Sequence, residues 1–261
     1  RTLTTRHGPD QSPAVSPDGT RVAYLGFDDQ RHGYENTRLQ VMDRDGGGTR
    51  IVSGALDRSV EQPTWTPSGR EVIVQYEDEG RVKLASLALD GRLRVLADDV
   101  GGLSIGRPYA SGEYSVSKTG LVAYTAAGPD RLADVAVVPL RGGAPKRLTN
   151  LSGDLLAQRE LGKVEEFWVP SSHDGQRVQA WMITPPGFDP AQKYPLLLEI
   201  HGGPFAAYGP TFAAELQLYA AAGYVVVYVN PRGSTGYGKA FGNAIRSEEH
   251  TSELQSLAYL V

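Results

Sequence analysis

The stretch Tyr194 to Gly238 constrains the fold of this chain more than any other. It opens on a short apolar run, Leu196, Leu197, Leu198 and Ile200, which ends in the Gly202-Gly203 turn. A second run, Tyr224 to Val229, ends in Asn230-Pro231-Arg232-Gly233. Short, nearly continuous apolar runs of this kind predict buried parallel strands. Between them Phe212, Leu216, Tyr219 and Ala220 recur at helical spacing, and Gly223 stands where a helix C-cap belongs. Strand, glycine turn, helix and strand make a βαβ unit. Ligands of open α/β sheets bind beyond the carboxyl ends of the strands, so His201-Gly202-Gly203-Pro204 is expected at the edge of a site.

A Gly-Gly turn in that place lets the backbone approach a ligand and aim free N–H groups at it, as an oxyanion hole requires. Alone, the same turn also serves as a tight strand-to-loop connection with no chemistry. The pairing of HGGPF from His201 with NPRGSTGYG from Asn230 is more specific. It resembles the catalytic domain of the prolyl oligopeptidase family of serine peptidases, in particular its acylaminoacyl-peptidase branch, in which a β-propeller accompanies an α/β-hydrolase. The resemblance implies that the backbone N–H of Gly203 is the oxyanion donor, with His201, Gly202 and Pro204 shaping the loop. It implies that Arg232, Gly233, Ser234, Gly236 and Tyr237 form a turn bracing the floor of the site. Short peptides would be the substrates, and no metal or organic cofactor is expected.

The N-terminal part reads as repeats. AVSPDGTRVAY from Ala14, TWTPSGREVIV from Thr64 and SVSKTGLVAY from Ser115 align at a period of about fifty residues. In each, a hydrophobic residue (Val15, Trp65, Val116) precedes a polar turn closed by Gly19, Gly69 or Gly120. Such turns favour hairpins. Further strand-like runs follow, such as Arg81 to Leu87 and Leu93 to Leu96 around Asp90-Gly91. Four short strands per repeat describe a propeller blade better than a stacked β-sandwich module. Roughly three blades fall short of a closed ring, which usually takes about four to eight.

After Leu161 the pattern changes. Lys163 to Pro170 and Gln176 to Thr184 read as two antiparallel strands joined by Ser171 to Gly175, and Pro185 to Pro190 as a surface loop. The segment from Ser171 to Pro190 resembles the same region of the family. Residues 1–161 are therefore read as a partial β-propeller of about three blades, and 162–245 as the N-terminal part of an α/β-hydrolase domain.

Composition excludes several other classes. The chain has 261 residues, 40% of them hydrophobic, and a net charge of −4, so no basic surplus points to nucleic acid or an anionic membrane. It has no cysteine, which removes disulfides, thiolate metal sites and a cysteine nucleophile. No apolar run reaches the length of a membrane span. We read the protein as cytoplasmic and open to homo-oligomerisation. It has no initiator methionine, so the lack of a signal peptide carries no information.

Other attractive residues have plainer readings. His173-Asp174 lies in a hairpin turn, where neighbours point apart. Glu165-Glu166 is not given the substrate-amine role that paired glutamates play in some relatives. Ser234 has Arg232 rather than glycine two places before it. An α/β-hydrolase nucleophile sits on a sharp G-x-S-x-G strand-to-helix turn, with acid and histidine later in the chain. No serine is read as having glycine both two places before and two places after it, so nucleophile, Asp and His are expected beyond residue 245 and the chain alone is expected to be inactive. Residues 246–261 begin RSEEHTSELQS, which resembles the translation of a sequencing-library adapter, and are read as a non-native tail. Two alternatives stay open: a non-catalytic propeller protein whose βαβ piece binds a partner, and an esterase or lipase on the same fold, against which the repeats argue.

Overall fold

The structure is a computed structural model that describes residues 2–245; the expected non-native tail lies outside the described residues. Three antiparallel four-stranded meanders come first. Strands β1 (Asp10–Val15), β2 (Arg21–Gly26), β3 (Arg38–Asp43) and β4 (Arg50–Ile51) form one sheet. β5 (Val60–Trp65), β6 (Glu71–Asp78), β7 (Arg81–Ala88) and β8 (Leu93–Val100) form the next. β9 (Tyr114–Val116), β10 (Leu121–Gly128), β11 (Arg131–Pro139) and β12 (Lys146–Arg147) form the third, joined to the second through the pair Ala126 and Val100.

The repeated turns have one geometry. Gly19, Gly69 and Gly120 donate their N–H groups to Ser16, Thr66 and Ser117 carbonyls at 2.8, 2.9 and 3.3 Å. Their φ angles are +71°, +66° and +89°, a region that side chains disfavour. In the first turn the Asp18 carboxylate accepts from the Ser16 hydroxyl at 2.6 Å and from the Thr20 N–H and hydroxyl at 3.0 and 2.8 Å. These bonds, Ser16 foremost, lower the Asp18 pKa to about 2.

Sheet faces pack on one another. Val72 and Val74 of β6 face a core with Leu39, Val41 and Val60, whereas Ile73 between them faces Leu84, Val122 and Val138. The middle sheet thus buries both faces, and β6 reads as a continuous apolar run rather than an alternating one. Each such side chain contributes roughly 1.5–3 kcal/mol through burial. Polar bonds fix the register between sheets: Trp65 Nε1 donates to the Ala14 carbonyl at 2.8 Å, and the Tyr114 hydroxyl lies 2.8 Å from the Ile73 carbonyl.

After the short helix α1 (Gly153–Leu156) comes a fourth sheet. Its strands are β13 (Lys163–Pro170), β14 (Arg177–Thr184), β15 (Leu196–Ile200) and β16 (Val225–Asn230), in the order β13-β14-β16-β15. β15 and β16 are parallel, as expected, and the other two pairings are antiparallel. Helix α2 (Ala214–Ala221) crosses between them, with Leu216 and Ala220 buried against Trp181, Val226 and Tyr228. Gly223 follows it at φ +94°. One expectation needs correction. β15 is not fully buried: it has a ladder partner on one side only among the described residues, and Leu196 is 63% exposed. Helix α3 (Lys239–Gly242) closes the described chain, and no described helix is long and apolar enough to cross a membrane.

Candidate functional site

Because β15 and β16 run parallel, the loops at their carboxyl ends meet. His201-Gly202-Gly203-Pro204 leaves β15, and Pro231 to Gly238 leaves β16. His201 is buried, its Nε2 2.9 Å from Ser234 Oγ and its Nδ1 3.1 Å from the Gly202 carbonyl. Burial pushes the His201 pKa below the ordinary value, so the ring is neutral and carries one N–H. The Ser234 hydroxyl gives its one proton to the Pro231 carbonyl, so the ring N–H sits on Nε2 and donates to Ser234 Oγ. Ser234 is itself 1% exposed, and its Oγ also lies 2.6 Å from the Pro231 carbonyl. The pair is a brace between two loops with no room for a substrate.

Gly202 and Gly203 are exposed, and the Gly203 N–H makes no hydrogen bond among the described residues. Gly203 has φ +152° and a cis bond to Pro204. A Cβ there would stand 3.0 Å from the Phe205 nitrogen. An N–H without an internal partner, on an exposed glycine after a strand, is able to stabilise developing negative charge on a carbonyl oxygen.

Beneath this loop lies a polar network that the sequence reading missed. The fully buried Asn230 accepts from the Tyr208 N–H at 2.8 Å and donates to the Tyr208 carbonyl at 2.8 Å and the Tyr237 hydroxyl at 2.7 Å. Tyr237 donates in turn to Gln179 Oε1, whose amide donates to Glu166 at 2.8 Å. Burial raises the Tyr237 pKa and keeps it a neutral donor. In the sequence Asn230 shows only as a turn signal before proline.

The remaining residues also find places. Arg232 pairs with Asp174, giving the His173-Asp174 turn a structural partner across the sheet. Gly233, at φ +96°, leaves no space for a side chain beside Ile245 and Pro204. Glu165 pairs with Lys163. Gly236 accepts from the Glu79 N–H at 3.0 Å, and Thr235 donates its N–H to Ala206 at 3.1 Å and its hydroxyl to Glu77. A cavity of about 240 Å³ lies between these loops and the first two sheets, lined by Tyr34, Glu35, Glu61, Glu77, Phe205 and Thr235 among others.

One correction concerns the nucleophile pattern. G-x-S-x-G does occur once, as Gly102-Leu103-Ser104-Ile105-Gly106, which the sequence reading passed over. The structure places it in the β8–β9 connection, not on a strand-to-helix turn. There the Ile105 and Gly106 carbonyls accept from Ala214 and Glu215 N–H groups at 2.8 and 3.1 Å. They cap α2, whose N-cap Ala213 has no side-chain cap of its own.

Residues 210–258 match the model of the prolyl oligopeptidase family. An uncharacterized peptidase of Bacillus subtilis is 32% identical over 204 residues, 77% of this chain and 29% of the relative. A dipeptidyl-peptidase 5 of Aspergillus fumigatus is 31% identical over 253 residues, 92% of this chain and 33% of the relative. The chain spans about a third of the length of these relatives. Among solved structures, the Pyrococcus horikoshii acylaminoacyl peptidase superposes with a TM-score of 0.75 at 25% identity, over 93% of this chain and 36% of its own. The Porphyromonas gingivalis dipeptidyl peptidase 4 shares the fold at a TM-score of 0.72 and 19% identity, over 95% of this chain and 34% of its own. The three meanders are therefore propeller blades and the fourth sheet is part of an α/β-hydrolase. By motif, sequence and architecture, the chain belongs to the prolyl oligopeptidase family of serine peptidases.

Proposed function

We propose that the whole protein hydrolyses short peptides by acyl transfer, with a serine nucleophile, a histidine base and an aspartate that orients it. In this reading Gly203 supplies the oxyanion donor through its N–H. Gly202 and Pro204 set the course of the loop, and His201 ties it to Ser234. Arg232, Gly233, Gly236 and Tyr237 brace the floor. The observation that carries the reading is the free Gly203 N–H at the carboxyl end of β15, on a loop fastened from below by Ser234 and Asn230.

Neither candidate serine of the chain is assigned the attack. Ser234 is buried and bonded to neutral His201, and Ser104 lies in the loop that caps α2. We divide the chain at about residue 161, where both backbone groups of Gly162 bond to Gln217 of α2. The propeller part would limit access to short, unfolded substrates. Chromogenic dipeptide and acyl-peptide amides test the proposal. The protein in its full reading frame should release the chromophore, and residues 1–261 alone should not. Failure of the full protein on the whole panel would reject the peptidase reading.

A further inference from the structure

The second blade reaches the hydrolase loop through one side-chain bond and one backbone bond that the proposed reaction does not use. The Thr235 hydroxyl donates to Glu77 of β6, and the Gly236 carbonyl accepts from Glu79 at 3.0 Å. On its other side the same loop fastens the oxyanion segment, through the Thr235 N–H on the Ala206 carbonyl at 3.1 Å and His201 on Ser234 at 2.9 Å. Residues 234–236 thus connect Glu77 to the Gly203 loop in two steps. We propose that Glu77 is a positioning residue, a proton-dependent latch of the propeller on the oxyanion loop that acts through Thr235. The proposal rests on the reading of Gly203 given above.

The surroundings of Glu77 set the sign. Glu61 faces it from β5, and Tyr34 and Glu35 line the same cavity from the β2–β3 connection. Asp78 and Glu79 adjoin it in the chain, and Tyr237 lies within its electrostatic reach. Nearby cations are bonded elsewhere: Lys239 to Glu35 at 2.7 Å, and Arg58 and Lys83 to Asp78 at 2.8 and 2.6 Å. His32 is also held by Glu35, at 2.7 Å. Burial, opposed by the Thr235 bond and reinforced by the Glu61 charge, raises the Glu77 pKa from 4.5 to about 7.

A latch whose closed form has the higher pKa binds more protons closed than open. The closed-to-open ratio should therefore fall about tenfold per pH unit between the open and closed pKa values and level off above the latter. The cavity beside Glu77 offers a place where water can meet the ionised carboxylate.

Amide hydrogen exchange on residues 1–261, corrected for the intrinsic pH dependence of exchange, reads this directly. Protection of the Thr235 and Glu79 amides should fall about tenfold per unit from pH 5 to 7 and flatten above. The Tyr208 amide, held by Asn230, should not follow. Glu77→Gln keeps an oxygen for Thr235 but cannot ionise, and should abolish the slope. Glu61→Gln removes the like charge and should move the break to lower pH. A wild-type profile without slope, or a Glu77→Gln profile with the wild-type slope, would overturn the latch. The measurement needs neither nucleophile nor substrate, so either result leaves the peptidase reading to its own assay.

Discussion

At the propeller end remote from the hydrolase sheet, three turns repeat one set of bonds, whereas each loop at the facing end makes bonds found in only one blade. The remote turns close between residues three to five apart, with Ser16, Thr66 and Ser117 in equivalent places. At the facing end, Asn243 clamps the N–H and carbonyl of Tyr34 in the first blade, at 3.0 and 2.7 Å. In the second blade, Gly80 presses on Trp181 and the Tyr208 carbonyl, and in the third the Ile105 and Gly106 carbonyls cap α2. Local turns are alike because each depends only on its own few residues. Facing loops diverge because each fits a different part of one asymmetric partner.

Mutations sharpen this contrast. The largest effect is expected from Asn230→Ala, which leaves the buried Tyr208 N–H and carbonyl without partners and should cost about 4 kcal/mol in denaturant unfolding. Ser117→Ala removes a comparable side-chain bond to the Leu121 N–H, at 3.0 Å, but in an exposed turn. It should cost less than about 1 kcal/mol. Equal losses would contradict the comparison.

Glycines give the next test. Gly80 and Gly19 have nearly the same φ, +73° and +71°. A Cβ on Gly80 would stand 2.7 Å from the Trp181 ring, while one on Gly19 would meet nothing within 4 Å. Gly19→Ala should therefore cost about 1 kcal/mol for the backbone alone. Gly80→Ala adds a packing clash and should cost about 3 kcal/mol, with loss of Trp181 near-UV signal.

What was legible in the sequence follows the same division. The blade turns showed in Gly19, Gly69 and Gly120, the βαβ unit in its apolar runs, and the Gly203 loop in its glycines. Each signal lies within a few residues. The Asn230 clamp, the Gly162–Gln217 tie and the Glu77–Thr235 contact join residues 22, 55 and 158 apart, and nothing local marks them. Leu196 reads as buried because a local apolar run does not reveal how many ladder partners its strand has, and among the described residues β15 has one. Ser104 shows the converse: a pattern of glycines and serine recurs by chance where backbone carbonyls, not the hydroxyl, do the structural work.

The smallest effect belongs to Asp18→Asn. The Asp18 carboxyl titrates at about 2 in the fold against an ordinary 3.8, so its contribution is complete above the ordinary value and is lost as pH falls through 2. Wild type should slightly exceed the variant in stability at pH 5, and the difference should vanish near pH 2. A difference that grows on acidification would reverse the assigned sign.

We propose that this chain holds the oxyanion loop while another part of the protein holds the nucleophile. A fluorophosphonate probe followed by peptide mapping tests that most directly. We expect the full reading frame to take one label on a serine after residue 245, and residues 1–261 alone to take none. A label on Ser104 or Ser234 would contradict the account.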